Sequence, residues 1–331
     1  VIPISLVLLL TAGLLYWFGE TWLRHFLLYL STAVWARNLV SSLPMAQSVA
    51  KRFVAGETID DALAVTQDLN SRGMHVTLDY LGESVSTMSE AEAARDEILG
   101  LLNRIDEEKL DATVSVKLSQ LGLKIDPNQT YEIIRALMSR AKDTNNQIRI
   151  DMEESGVVDI TLDIYRRLRF DEKFDNVGIV VQSYLYRTEK DVDELTAEGA
   201  SVRLCKGAYM EPADVAYPSK EDTDASFVRL MQTMLGEEAR QNGVYLGVAT
   251  HDERMVQATK EFSRRQGIAK EAYEFQMLYG IRRDLQEGLV DHGYQVRVYV
   301  PYGTAWYPYF VRRLAERPAN LWFFISNLVR Q

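Results

Sequence analysis

From Gly56 onward, short β-branched runs alternate with charged, helix-compatible stretches. The runs read as strands at 75–81 (HVTLDYL), 112–119 (ATVSVKLS), 147–153 (QIRIDME) and 176–185 (NVGIVVQSYL). Four more follow at 201–207 (SVRLCKG), 244–250 (VYLGVAT), 273–279 (YEFQMLY) and 295–301 (QVRVYVP). Between them lie helical stretches such as 89–108, 129–143, 156–169, 188–197, 222–241 and 252–265. Eight strands alternating with helices over roughly 250 residues predict an α/β fold, a (βα)8 barrel of the TIM type. A doubly wound open sheet is the runner-up, and it loses ground because no GxGxxG or P-loop follows a strand. No low-complexity linker interrupts the region, so residues 57–331 read as one catalytic domain.

The first residues have another texture. Val1–Phe18 carries no charged side chain and sits at the lower edge of the length that spans a bilayer. Tyr16, Trp17 and Trp22 suit a membrane interface, and the basic residues that follow would leave the rest of the chain in the cytoplasm. Residues 22–40 have a broad apolar face with Arg24 and Arg37, compatible with a membrane surface or with packing on protein. The expectation is a hydrophobic segment at 1–20, a possible anchor, and a basic amphipathic helical arm at 21–56. No signal-peptide cleavage site is evident. Lipid contact through residues 1–40 would make the protein cytoplasmic and membrane-associated.

Composition narrows the class. The chain has 331 residues, 47% hydrophobic and 25% charged, so it is globular rather than disordered or fibrous. A single cysteine, Cys205, excludes an internal disulfide and a cysteine metal cluster, and suits a reducing compartment. Residues 1–56 set Glu20 against Arg24, Arg37, Lys51 and Arg52, a net of +3, so residues 57–331 carry −13 and the whole chain −10. That balance argues against a nucleic-acid partner. The four histidines are scattered without ligand spacing, so no metal is expected.

In a barrel, chemistry sits at the carboxyl ends of the strands. Those ends carry Asp79, then Lys117 and Ser119, then Asp151–Met152–Glu153, then Gln182. Next come Arg203 with Lys206–Gly207–Ala208, Thr250–His251, Gln276 with Tyr279, and Tyr299 with Gly303. Any one polar strand end is ordinary solvation; eight in register point to a site. Arg203 lies within an apolar strand, where an unpaired arginine is costly to bury, and the alternative is an outward position between helices. Gly207 would let a ligand approach the backbone beside Lys206. Cys205 reads as a small core residue. In the last helix Tyr309, Arg312, Arg313 and Glu316 fall on one face, and Pro318 ends it. An arginine pair can clamp a small carboxylate, each charge-assisted bond contributing roughly 1.5–3 kcal/mol. A solvated salt-bridged helix is the plain alternative, and the aromatic residues Trp306, Tyr307 and Tyr299 tilt toward a pocket.

Together KLS (117–119), DME (151–153), QSYL (182–185), RLCKGAY (203–209), ATH (249–251), FQMLYG (275–280), YVPYG (299–303) and YFVRRLAERP (309–318) resemble proline dehydrogenase, the monofunctional bacterial type. The resemblance covers residues 45–331. It implies a distorted (βα)8 barrel, a noncovalent FAD, oxidation of L-proline to 1-pyrroline-5-carboxylate in proline catabolism, and delivery of electrons to membrane quinone. By it, Arg312 and Arg313 would bind the proline carboxylate, helped by Lys117, which would pair with Glu316 or another acid. Tyr299 would pack beside the substrate ring, Tyr309 would close the pocket, and Asp151 would orient the substrate. Arg203 would bond the flavin near its reactive nitrogen and stabilise the reduced, anionic ring. Met152, Gln182, Lys206, Gly207, Ala208, Thr250 and His251 would contact FAD. Cys205 stands where the family has valine, and residues 1–20 exceed the usual amino-terminal arm. The competing enzyme reading is a Schiff-base aldolase with Lys117 or Lys206 as nucleophile; a membrane-tethered interaction protein would leave the strand ends unexplained.

Overall fold

The structure, a computed structural model, describes residues 52–82 and 85–316, with side chains as far as Val311. The hydrophobic segment 1–20, most of the arm 21–56, and Pro318 lie outside those residues. Eight parallel strands close in sequence order into a barrel: β1 (His75–Tyr80), β2 (Ala112–Val116), β3 (Ile148–Ile150), β4 (Val177–Gln182), β5 (Ser201–Cys205), β6 (Tyr245–Ala249), β7 (Tyr273–Leu278) and β8 (Gln295–Tyr302). Around them lie α1 (Ile59–Ser71), α2 (Met88–Glu107), α3 (Pro127–Asp143), α4 (Val158–Arg166), α5 (Thr188–Ala197), α6 (Lys220–Leu235), α7 (Glu237–Gln241), α8 (Glu253–Arg265), α9 (Arg283–Asp291) and α10 (Trp306–Glu316). This is the predicted (βα)8 barrel, with every strand in its predicted place.

Three helix details differ from expectation. The predicted helix over 222–241 is two helices, because Gly236 is extended (φ −61°, ψ 169°) and divides α6 from α7. The stretch at 156–169 runs from a 3₁₀ turn through α4 into a π turn at Arg167–Asp171. Helices α1 and α9 were not singled out. The start of α1 is a capping box: Thr58 Oγ1 accepts from the Asp61 amide at 3.2 Å, and Asp61 Oδ2 accepts from the Thr58 amide at 3.1 Å. Residues just before it join the barrel, since the Ala55 amide donates to Pro301 O and the Gly303 amide to Gly56 O, both at 2.9 Å.

The strands are two-faced in a way that decides the function. One set of alternate residues is apolar and buried against the helices: Val76 and Leu78, Val114 and Val116, Ile148 and Ile150, Val202 and Leu204, Leu246 and Val248, Val296 and Val298. Each such side chain contributes about 1.5–3 kcal/mol by leaving water. The other set turns into the barrel and is largely polar, with Thr77, Asp79, Ser115, Arg149, Arg203, Glu274 and Gln276 all buried. Arg149 fits because Gly178 carries no side chain; a Cβ there would lie 3.0 Å from Nη1. Arg149 donates to Ile179 O at 3.2 Å and to Ser201 O at 3.1 Å. Burial, with the Arg203 charge second, lowers its pKa to about 9.

At the amino-terminal end of the barrel, His75 Nδ1 meets Asp111 Oδ2 at 2.5 Å and Nε2 meets Gln295 Oε1 at 2.5 Å. The hydrogen bond His75 donates to Asp111 raises the His75 pKa above 6.5, and the same bond lowers that of Asp111 below 3.8. A raised histidine stabilises the fold below its unfolded pKa and loses that contribution as pH climbs through the folded value. A lowered carboxylate does the converse, losing its contribution as pH falls through its folded value. Thermal melts of wild type and His75→Gln should therefore differ most between about pH 3.8 and 6.5 and converge toward pH 8. A difference that grows above neutrality would contradict the pairing.

Candidate active site

The carboxyl ends of the strands surround a cavity of about 470 Å³. Its wall includes Lys117, Asp151, Met152, Gln182, Arg203, Lys206, Gly207, Ala208, Thr250, His251 and Tyr299, so eleven of the predicted site residues meet in one place. A larger hollow of about 730 Å³ lies at the other end of the barrel, along the loops at 105–113, 142–147 and 175–176. Its size does not make it the site, because the βα loops that carry chemistry lie at the opposite face.

Asp151 is the hub. Its Oδ1 accepts from Arg203 Nη1 at 2.7 Å, and its Oδ2 accepts from the Tyr299 hydroxyl at 2.7 Å and from Lys117 Nζ at 3.5 Å. Lys117 Nζ also reaches both oxygens of Asp79 at 3.1 Å and the Tyr299 oxygen at 3.2 Å. The pairing expected for Lys117 is thus met by Asp79 and Asp151. Burial, reinforced by the Asp151 and Asp79 charges, pushes the Tyr299 phenol well above its ordinary value, so it stays a donor. Strand β5 aims Arg203 inward at 5% exposure, not outward between helices. Arg203 Nη1 also bonds Ser115 Oγ at 3.1 Å, and its Cζ lies 5.1 Å from the Tyr299 ring centroid.

Two expectations gain a further physical reason here. Cys205 shares the inward face of β5 with Arg203, two residues away, and lines the cavity as well as packing against the core. Burial pushes its thiol up to about 12, so it is inert as a nucleophile. Gly207 is required by the protein itself: its φ is +111°, and a Cβ would fall 2.2 Å from the Tyr184 ring.

At the rim, Lys206 Nζ pairs with Asp224 and, at 2.8 Å, with Asp252. Lys220 Nζ bridges the same two carboxylates, meeting Asp252 at 3.0 Å. Burial pushes the Asp252 carboxyl up, but the bonds from Lys206 and Lys220 outweigh it and hold it well below the usual range. Lys117 and Lys206 are each held by two carboxylates, whereas a Schiff base needs a free amine. The Leu278 amide donates to His251 Nε2 at 2.9 Å, which places the ring proton on Nδ1. Thr250 is buried, and its Oγ1 accepts from the Asp252 amide at 3.0 Å.

Ser119 and Glu153, polar strand ends in the sequence, bond one another instead of facing the cavity, with the Ser119 amide donating to Glu153 Oε1 at 2.9 Å. Tyr309 is buried on α10 and is not part of the cavity wall. Helix α10 carries positions 312, 313 and 316, whose side chains lie outside the described residues. Sequence reasoning passed over Asp224 and Asp252, which anchor Lys206, and it noted Asp79 and Gln276 only as polar strand ends.

A proline dehydrogenase family model matches residues 62–325. Proline dehydrogenase 2 of Bacillus subtilis (strain 168) is 37% identical over 308 residues, covering 93% of this chain and 99% of its own. Proline dehydrogenase of Deinococcus radiodurans is 41% identical over 286 residues, covering 86% of this chain and 91% of its own. Among solved structures, proline utilization A (PutA) from Bdellovibrio bacteriovorus, inactivated by N-propargylglycine, matches with a TM-score of 0.76 at 28% identity. That match covers 81% of this chain and 32% of the longer protein.

Proposed function

Because the chain belongs to the proline dehydrogenase family, we infer that it oxidises proline. From that premise we propose FAD at the carboxyl-terminal mouth of the barrel, 1-pyrroline-5-carboxylate as product, and a membrane quinone as final electron acceptor. One observation carries the flavin. Arg203 Nη2, a donor, and Gln182 Oε1, an acceptor, are buried in residues of the cavity wall and have no hydrogen-bond partner among the described residues. Each unmet buried polar atom costs about 1–3 kcal/mol. A flavin ring edge presents both acceptors and a donor, and would satisfy the two together. Met152, Gln182, Arg203, Lys206, Gly207, Ala208, Thr250 and His251 would hold it.

When bound, the flavin supplies the two-electron acceptor for the hydride that leaves the ring carbon next to nitrogen. The chain supplies orientation and charge. Arg203 places a fixed positive charge where negative charge develops, and Asp151 with Ser115 keeps that guanidinium still. Arg312 and Arg313 hold the substrate carboxylate, helped by Lys117, with Tyr299 against the substrate ring. Asp79 and Asp151 are both engaged by cations, so substrate binds as the neutral amine and its remaining N–H proton leaves after the hydride.

Residues 57–331 then form the catalytic barrel, 21–56 a basic arm, and 1–20 a hydrophobic segment that brings lipid and quinone close through residues 1–40, on the cytoplasmic side. Among the described residues no helix is long and apolar enough to cross a membrane. The test is direct: purified protein given L-proline and a soluble quinone should form a product two hydrogens lighter than proline. Absence of that product overturns the proposal. Preincubation with N-propargylglycine, which inactivates the Bdellovibrio bacteriovorus protein, should abolish turnover in a time-dependent way.

A further inference from the structure

Arg203 is held from inside the barrel as well as from Asp151. Its Nε donates to Gln276 Oε1, and the other end of that amide, Nε2, donates to Glu274 Oε1 at 2.5 Å. Glu274 is fixed in turn: Arg297 Nε donates to the same oxygen at 2.8 Å, and the Tyr245 hydroxyl donates to Oε2 at 3.3 Å. Gln276 and Glu274 are 3% and 1% exposed, so bulk water cannot replace either bond. The room for this chain of bonds comes from a glycine, since a Cβ at Gly247 would lie 2.3 Å from Gln276 Nε2.

The two neighbours leave the Gln276 amide one orientation. A carboxylate only accepts and a guanidinium only donates, so the amide nitrogen must face Glu274 and the oxygen must face Arg203. Arg203 thereby uses Nε on Gln276 and Nη1 on Ser115 and Asp151, which leaves Nη2. We propose that Glu274 and Gln276 are positioning residues for the reaction: Glu274 sets the polarity of the Gln276 amide, and Gln276 turns the Arg203 guanidinium so that Nη2 is the donor kept for the flavin. The relay rests on the flavin reading above. The sheet register supports it, because Arg203, Gly247 and Glu274 are consecutive partners across β5, β6 and β7.

Flavin affinity, kcat and proline KM would be measured on wild type and four variants. Gln276→Met keeps the volume and removes both bonds, and should weaken flavin binding about 10-fold and lower kcat about 100-fold while proline KM moves little. Gln276→Glu sets two carboxylates against each other and should lose at least as much. Glu274→Gln alone keeps an oxygen toward Gln276 but takes the charge from Arg297, and should weaken flavin binding less than Gln276→Met does. Combining it with Gln276→Glu restores a donor opposite an acceptor at that contact, though the same amide nitrogen then faces Arg297 Nε, and should bind flavin about threefold or more tighter than Gln276→Glu alone. Normal flavin affinity and kcat in Gln276→Met, or a double variant no better than Gln276→Glu, would overturn the relay. Melting curves identify any charge variant that fails to fold, in which case the isosteric methionine decides. Wild-type protein that takes up no flavin sinks the flavin reading and the relay with it; wild type that binds flavin beside unaffected variants sinks the relay alone.

Discussion

Arg203→Met is expected to lower kcat by about 10²–10³-fold, the size of effect seen when one preorganised donor to a developing negative charge is removed. Bound flavin should fall with it, since Nη2 is an unmet buried donor. The loss extends into the fold. Asp151 Oδ1 and Gln276 Oε1 both accept from this guanidinium, and stranding each costs about 1–3 kcal/mol. The melting temperature should therefore drop as well. Arg203→Lys separates charge from shape: an ammonium on a flexible stem cannot serve Asp151, Ser115 and Gln276 at once. It should recover part of the stability and little of the turnover. Activity of Arg203→Met within tenfold of wild type would contradict a role at the flavin.

The second large effect lies in the substrate. Arg312→Met removes one of two cations from the proposed carboxylate clamp, and a charge-assisted bond is worth roughly 1.5–3 kcal/mol. At about 1.4 kcal/mol per tenfold, proline KM should rise roughly 10- to 150-fold. Flavin content should not change, because the clamp touches substrate alone. That split distinguishes the clamp from a salt-bridged surface helix, for which KM would stay put. A KM unchanged by Arg312→Met, or a parallel loss of flavin, would dismiss the clamp.

The barrel was legible because the outward face of every strand is apolar, so runs such as VRVYV and YLGVA stand out against charged helices. The polar alternate residues of the same strands were harder to place. HVTLDY, SVRLC and YEFQML read equally well as strands with one wet face. Only closure of β1 on β8 turns that face inward and makes Arg149, Glu274 and Arg297 parts of the interior. The strand-end residues were found because position alone marks them. Asp224 was missed because it lies within the helix α6 and reaches Lys206 only through folding. Helix α9 gave no start signal, since Arg282 at its N-cap is left-handed and makes no side-chain cap. Helix α1 did carry one, Thr58 with Asp61 three residues on. Cys205 read as a small core residue, and its place in the cavity wall follows from sharing the inward face of β5 with Arg203 while Leu204 faces the helices.

The most direct measurement is the absorption spectrum of the purified protein under anaerobic conditions, before and after L-proline. A flavin held at the barrel mouth predicts a yellow protein whose flavin band bleaches on adding proline and returns with a quinone. A colourless protein that oxidises proline, or a flavin band that proline leaves untouched, would contradict it.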